Sequence, residues 1–127
     1  MTVLESEIQG KPSSDVNDSL SDDDRLFCAA CGHAVTRTTH AVARRGTHEH
    51  TVFNPMGRLF TIRCFSEAAG ATVWGDPTPE FTWFPGFAWQ YALCRGCAEH
   101  IGWVYTNTDD AFFGLIKQAL SSRPEPR

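Results

Sequence analysis

Apolar and polar positions alternate with a period of two along much of the chain, and that alternation predicts strands rather than helices. The clearest run is Leu59 to Phe65, LFTIRCF, with apolar side chains at every second position. Before it, Thr, Val, His and Ala recur from Ala34 to Phe53 with small interruptions at Arg44-Arg45-Gly46-Thr47, which predicts a hairpin-like meander with strands near 34–43 and 47–53. Asn54-Pro55-Met56-Gly57 is a turn by composition. Another short strand begins after Gly70 and carries Val73 and Trp74; Asp76-Pro77-Thr78-Pro79 then predicts a rigid loop, because two prolines in three positions fix its course. Past Tyr105 the period changes. Thr106 to Asp110 offers a cap and two acids for a first helical turn, and Ala111, Phe112, Leu115, Ile116 and Leu120 recur at helical spacing, which predicts one amphipathic helix over 109–121.

The stretch from Glu80 to Tyr105 holds three of the four tryptophans. On strands, Phe81 and Trp83 share a face, as do Phe87, Trp89 and Tyr91 beyond the break at Pro85-Gly86, and Trp103 and Tyr105. Three indoles and a phenol exceed what a small core needs. They suit the wall of a pocket for a flat or cationic small molecule.

Composition narrows the classes. A chain of 127 residues is one domain plus tails, with only a modest core, so a staple is expected. The net charge of -4 is concentrated in residues 1–24, where seven acids face Lys11 alone; the remainder, with ten basic and eight acidic residues, is close to neutral. That first segment is poor in hydrophobic residues and is expected to be a disordered acidic tail. The near-neutral remainder lacks the basic field of a nucleic-acid binder. No apolar run has the length of a membrane span and the N-terminus lacks the order of a secretion signal, so a cytoplasmic monomer is the expectation.

Five cysteines fall as Cys28-x-x-Cys31, Cys94-x-x-Cys97 and a lone Cys64. In a reducing compartment two such pairs point to four thiolates on one zinc rather than to two disulfides. Gly32 and Gly96 fit the tight knuckles such a site needs. Four thiolates leave no open coordination position, so this zinc is structural. His48 and His50 share a strand face, but the four-thiolate site already accounts for the metal. Cys64, inside a strand, reads as a small buried hydrophobe.

The order C-x-x-C, Asn-Pro-x-Gly, W-F-P-G-F-A-W, C-x-x-C, H-I-G-W-x-Y and F-x-G-L resembles the CULT domain, the thalidomide-binding domain family of cereblon, and especially its bacterial single-domain members. The resemblance covers about residues 25–122, leaving 1–24 and 123–127 as tails. It implies an all-β fold, a β-tent of two antiparallel sheets pinned by a zinc on Cys28, Cys31, Cys94 and Cys97, with a short C-terminal helix. It also implies a cage of Trp83, Trp89 and Trp103 closed by Tyr105, with Asn54, Pro55, Phe60, Phe81 and Thr82 as neighbouring ligand contacts. Phe81 stands where the vertebrate relative has a histidine, and Tyr105 where it has a phenylalanine. The ubiquitin-ligase role of that relative depends on parts outside this domain and is not carried over.

With no histidine at position 81, the backbone is expected to do more. In a strand the Phe81 carbonyl and the Trp83 N–H point along one edge and complement the N–H and C=O of a cyclic imide such as glutarimide or uracil. The expected function is therefore a non-catalytic binding module for cyclic imides, including thalidomide-type compounds and the cyclised C-terminal ends of damaged proteins, and for uracil-type rings such as uridine. A methylammonium or betaine cage using Glu80 or Asp76 is the second reading. The third is an enzyme similar to methionine sulfoxide reductase B, for which Cys64 is the one free thiol.

Overall fold

A computed structural model describes residues 24–125 of the chain; the expected disordered tail lies outside the described residues apart from Asp24. Among the described residues nine strands form two antiparallel sheets: β1 (Arg25–Cys28), β2 (Ala34–Arg37), β3 (Glu49–Phe53), β4 (Leu59–Phe65), β5 (Ala71–Thr78), β6 (Ala88–Cys94), β7 (His100–Thr106), β8 (Ala111–Ile116) and β9 (Leu120–Ser121). The smaller sheet has the order β2-β1-β9 and the larger β3-β4-β8-β7-β6-β5. The protein is therefore all-β, as the alternation and the resemblance both imply.

Strand alternation divides the core in two. Leu26, Cys28 and Val35 of the smaller sheet pack with Phe65, Ala71, Ala92, Cys94, Ile101 and Leu115 of the larger one. A second cluster of Ile62, Cys64, Phe84, Trp103, Tyr105 and Phe112 collects most of the aromatic rings. Along β4 the two sets interleave, with Ile62 and Cys64 in the second cluster and Phe65 in the first. The larger sheet thus has one face for joining the sheets and another for the aromatics.

Four expected elements differ. The helix over 109–121 is instead β8, a 3-10 turn at Lys117–Ala119 and the short β9. Its apolar residues satisfy both periods, but β8 is buried on both sides, with Phe112 in one core and Leu115 in the other. Gly114 decides the matter locally: a Cβ there would lie 3.0 Å from Ile62 Cδ1 and 3.1 Å from Tyr105 Cε2, so bare backbone lets β4 and β7 close on it. The first strand of the meander stops at Arg37, where Thr38 N–H donates to the Asp24 carbonyl and a 3-10 turn follows at Thr38–His40. The Asp76 to Pro79 loop is in part strand, because β5 continues to Thr78, which pairs with Trp89 past an irregularity at Gly75. Its proline is tolerated because β5 is an edge strand. Finally, Phe81 and Trp83 are not on a strand. Residues 79–87 form a loop in which Phe81 takes φ 58, a left-handed conformation unusual for a bulky residue.

Candidate ligand cavity and metal centre

Two knuckles with the same hydrogen bonding bring the four cysteines together. In the first, Cys28 N–H donates to the His33 carbonyl and Gly32 N–H to the Cys28 carbonyl; in the second, Cys94 N–H donates to Glu99 and Ala98 N–H to Cys94. The residue four places after the first cysteine is left-handed in both, Gly32 at φ 83 and Ala98 at φ 66. Gly96, expected to supply that conformation, has another role: a Cβ on it would come within 2.8 Å of His33 Cβ, so it lets the two knuckles approach.

The sulfur atoms of Cys28, Cys31, Cys94 and Cys97 all lie within 4.8 Å of one another. Cys28 and Cys97 Sγ are 3.8 Å apart, and Cys31 and Cys94 Sγ are 3.6 Å apart. A tetrahedron with Zn–S bonds of about 2.3 Å has edges of about 3.8 Å, so the cluster fits one structural zinc. Burial pushes the Cys28 thiol up to about 12. Burial also raises Cys94, but the backbone N–H groups of Cys97 and Gly96 together with the thiols of Cys31 and Cys28 outweigh it and hold that thiol below its ordinary value, which favours a thiolate ligand.

On the aromatic face a cavity of about 480 Å³ is lined by Asn54, Pro55, Met56, Arg58, Phe60, Phe81, Trp83, Trp89, Tyr91, His100, Trp103 and Tyr105. Cross-strand register builds its sheet side, with Trp89 opposite Tyr105 and Tyr91 opposite Trp103. Trp103 meets Trp83 edge-on at 4.8 Å and Phe60 at 5.3 Å. Both half-buried indoles of the cavity are tethered. Trp83 Nε1–H donates to the Phe53 carbonyl at 2.9 Å, and Trp89 Nε1–H to the Glu80 carbonyl at 2.7 Å. These bonds hold the 79–87 loop against β3 on one side and β6 on the other. Trp103 is 7% exposed and Tyr105 only 1%, stacked on Phe112, so these two belong as much to the core as to the cavity. Burial pushes the Tyr105 phenol far above its ordinary range, with Cys64 adding to the shift, and keeps it neutral.

Of the expected ligand contacts, eight line this cavity and Thr82 does not. The Thr82 hydroxyl instead serves its own loop, donating to the Phe84 carbonyl and accepting from Phe84 N–H. Asn54 is partly used as well. Its Oδ1 accepts from Met56 N–H and Arg58 N–H, which shapes the turn. Among the described residues, neither the Phe81 carbonyl nor the Trp83 N–H has a backbone partner.

Met56, Arg58, Tyr91 and His100 complete the lining, and sequence reasoning did not place them there. Tyr91 was legible, since it shares a strand face with Trp89. His100 was not. Counting in twos from Trp103 puts it on the opposite face, but β7 has an extra residue where the partners pass from Ala92–Gly102 to Leu93–His100. That bulge turns His100 onto the aromatic face, 4.8 Å from Trp103 and 5.3 Å from Tyr91. Because a carbonyl can only accept, His100 Nε2 carries the proton it donates to Gly102 O at 2.9 Å, leaving Nδ1 as an acceptor.

Proteins called cereblon are similar to this chain in sequence. The chain is 32% identical to cereblon of Drosophila melanogaster over 116 residues, covering 83% of this chain. It is 39% identical to cereblon of Xenopus tropicalis over 79 residues, covering 58% of this chain. With the four-cysteine cluster, this decides the family. The chain carries a cereblon CULT-like domain. It spans about a fifth of each curated relative, 19% and 18% of those two proteins. The CULT-like domain matches no family model.

Proposed function

We propose that this CULT-like domain is a zinc-stabilised, non-catalytic binding module that takes cyclic imides of the glutarimide and thalidomide type, and uracil-type rings such as uridine, between Trp83, Trp89 and Trp103. The observation that carries the reading is one cavity of about 480 Å³ that all three indoles line, with Phe81 and Trp83 among the lining residues and the Phe81 carbonyl and Trp83 N–H without backbone partners among the described residues. The volume is that of a small-molecule site. The indoles supply flat apolar area, and in this reading the Phe81 carbonyl and the Trp83 N–H, carried by a loop and not by the strand edge expected, accept from the imide N–H and donate to an imide C=O, each bond contributing about 1 kcal/mol net. Asn54, Pro55, Phe60, Phe81 and Tyr105 frame the ring in this reading. A cyclised C-terminal residue of a damaged protein carries the same ring and would enter the same way.

A methylammonium cage is disfavoured by charge. Such cages gain from a nearby carboxylate, whereas Glu80 and Asp76 are outside the lining and its one formal charge is the cation of Arg58. Thiol catalysis is disfavoured by burial: Cys64 is 0% exposed, and desolvation pushes its thiol up to about 11. Titration of the intrinsic tryptophan fluorescence with glutarimide, uridine and glycine betaine tests the reading. Saturable changes with the first two and none with betaine are expected; the reverse order would contradict it.

A further inference from the structure

The one formal charge in the cavity lining has a fixed place and no carboxylate to answer it. Arg58 closes the Asn54 turn at both ends, its N–H donating to Asn54 Oδ1 at 2.9 Å and its carbonyl accepting from Asn54 N–H at 3.0 Å. Its guanidinium carbon lies 5.4 Å from the Phe60 ring centroid, and Phe60 in turn abuts Trp103. The cation is thus laid along the aromatic wall. Some other basic residues in the fold are ion-paired, Arg37 with Asp24, Arg44 with Asp110 and Lys117 with Glu49, while Arg45 and Arg95 donate to backbone carbonyls and Arg63 to His48. Among the described residues, Arg58 is in no ion pair of this kind.

A second groove of about 450 Å³ continues from the same point. It shares Arg58, Phe60 and His100 with the aromatic cavity and adds Thr51, Leu59, Thr61, Glu99, Ile116, Lys117, Gln118 and Ala119. It exists because β8 leaves the larger sheet at Ile116, opposite Ile62, so the first residues of β4 have β3 as their only strand partner. Where the aromatic cavity is mainly apolar, this groove offers the hydroxyls of Thr51 and Thr61, 3.4 Å apart, beside a Lys117 ammonium already paired with Glu49. Glu99 is its single carboxylate.

We propose that the ring bound in the aromatic cavity carries an anionic substituent, a phosphate or a carboxylate, that Arg58 holds at the junction with the polar groove. The proposal rests on the ring-binding reading above and names the class of ligand within it. A planar guanidinium pairs with either anion through two parallel N–H···O bonds, and the cavity wall beside it lowers the local dielectric. A ring without the substituent leaves that exposed cation to Phe60 and solvent. Two sources share the chemistry: the 5′-phosphate of a pyrimidine nucleotide, and a carboxylate borne by an imide ring.

The test compares uridine with uridine 5′-monophosphate, and glutarimide with a ring-carboxylated glutarimide, by calorimetry on the full chain at low and high salt. In the unaltered protein at least one anionic ligand binds about tenfold tighter than its neutral counterpart at low salt, the size expected of a partly exposed charge-assisted pair. Which one does so distinguishes the two sources. The preference falls to near unity in Arg58→Gln and is retained in part in Arg58→Lys. Neutral rings that bind with no anionic preference, or a preference that survives Arg58→Gln, would overturn the anionic substituent while leaving the ring-binding reading intact. Failure of both neutral rings to bind would overturn the ring-binding reading itself and this inference with it.

Discussion

Trp103 and Trp89 line the same cavity but make different experiments. Trp103 is nearly buried and touches Trp83, Phe60 and His100, so removing it would open a hole in the core costing about 3–5 kcal/mol and would confuse folding with binding. Trp89 is half-buried, held by its bond to Glu80 and its contact with Tyr91. Trp89→Ala is expected to lower glutarimide affinity by on the order of tenfold, as loss of one aromatic wall implies, while the thermal midpoint falls only modestly. Cys64 gives the complementary case. Placing a hydroxyl in its fully buried site costs roughly 1–3 kcal/mol, so Cys64→Ser should lower the denaturant midpoint. Glutarimide affinity and the absence of methionine sulfoxide reduction should be the same in both proteins.

The indole and thiol positions were legible because residue type and spacing alone define them. Thr82 was not, because nothing in a sequence tells a hydroxyl aimed at a ligand from one that closes its own loop. Arg58 escaped for a related reason: a turn residue acquires its meaning only when the turn is set beside an aromatic wall.

At the scale of elements, β7 carries the consequence most open to measurement. Burial against Trp103 and Tyr91 lowers the His100 pKa below its ordinary value near 6.5, with the Gly102 carbonyl opposing in part. The folded protein then binds fewer protons at this site than the unfolded chain. The stability His100 contributes is therefore complete above about pH 6.5 and is lost as the pH falls through the lowered folded value. A thermal midpoint that declines from pH 7.5 to 5.5, and declines less in His100→Gln, is the expected outcome. Glutarimide affinity should follow the same course, since the imidazolium would form beside the cavity.

β4 was readable to the residue because one strict alternation ran from Leu59 to Phe65. β8 was misread as a helix because its apolar residues fit both periods. A strand buried on both faces loses the polar half of its pattern, and only the contacts of Gly114 break the tie. The Phe81–Trp83 segment failed differently. It alternates like a strand, but a left-handed residue at Phe81 makes it a loop whose Phe81 and Trp83 line the cavity.

At the scale of the whole molecule, the metal links two distant parts of the chain. Cys28 and Cys31 follow the smaller sheet's central strand, whereas Cys94 and Cys97 follow β6, whose other end carries Trp89. With few residues and a core split in two, the fold depends on that link, and a zinc of this kind contributes on the order of 10 kcal/mol in small modules. Chelation should therefore abolish the cooperative thermal transition and the glutarimide-induced fluorescence change together, and re-added zinc should restore both. The link was the most legible feature of the sequence, since four cysteines in two pairs allow few other readings. How strands of the larger sheet serve both cores was not, because it depends on which face each neighbour presents.

The central claim is that a ring enters the aromatic cavity and is selected there by backbone groups that recognise an imide N–H. Calorimetric titration with glutarimide and with N-methylglutarimide tests it most directly. Binding of glutarimide with at least tenfold loss on N-methylation is predicted, because the methyl group removes one hydrogen bond and leaves the Phe81 carbonyl unpaired. Equal affinity for the two compounds would contradict it.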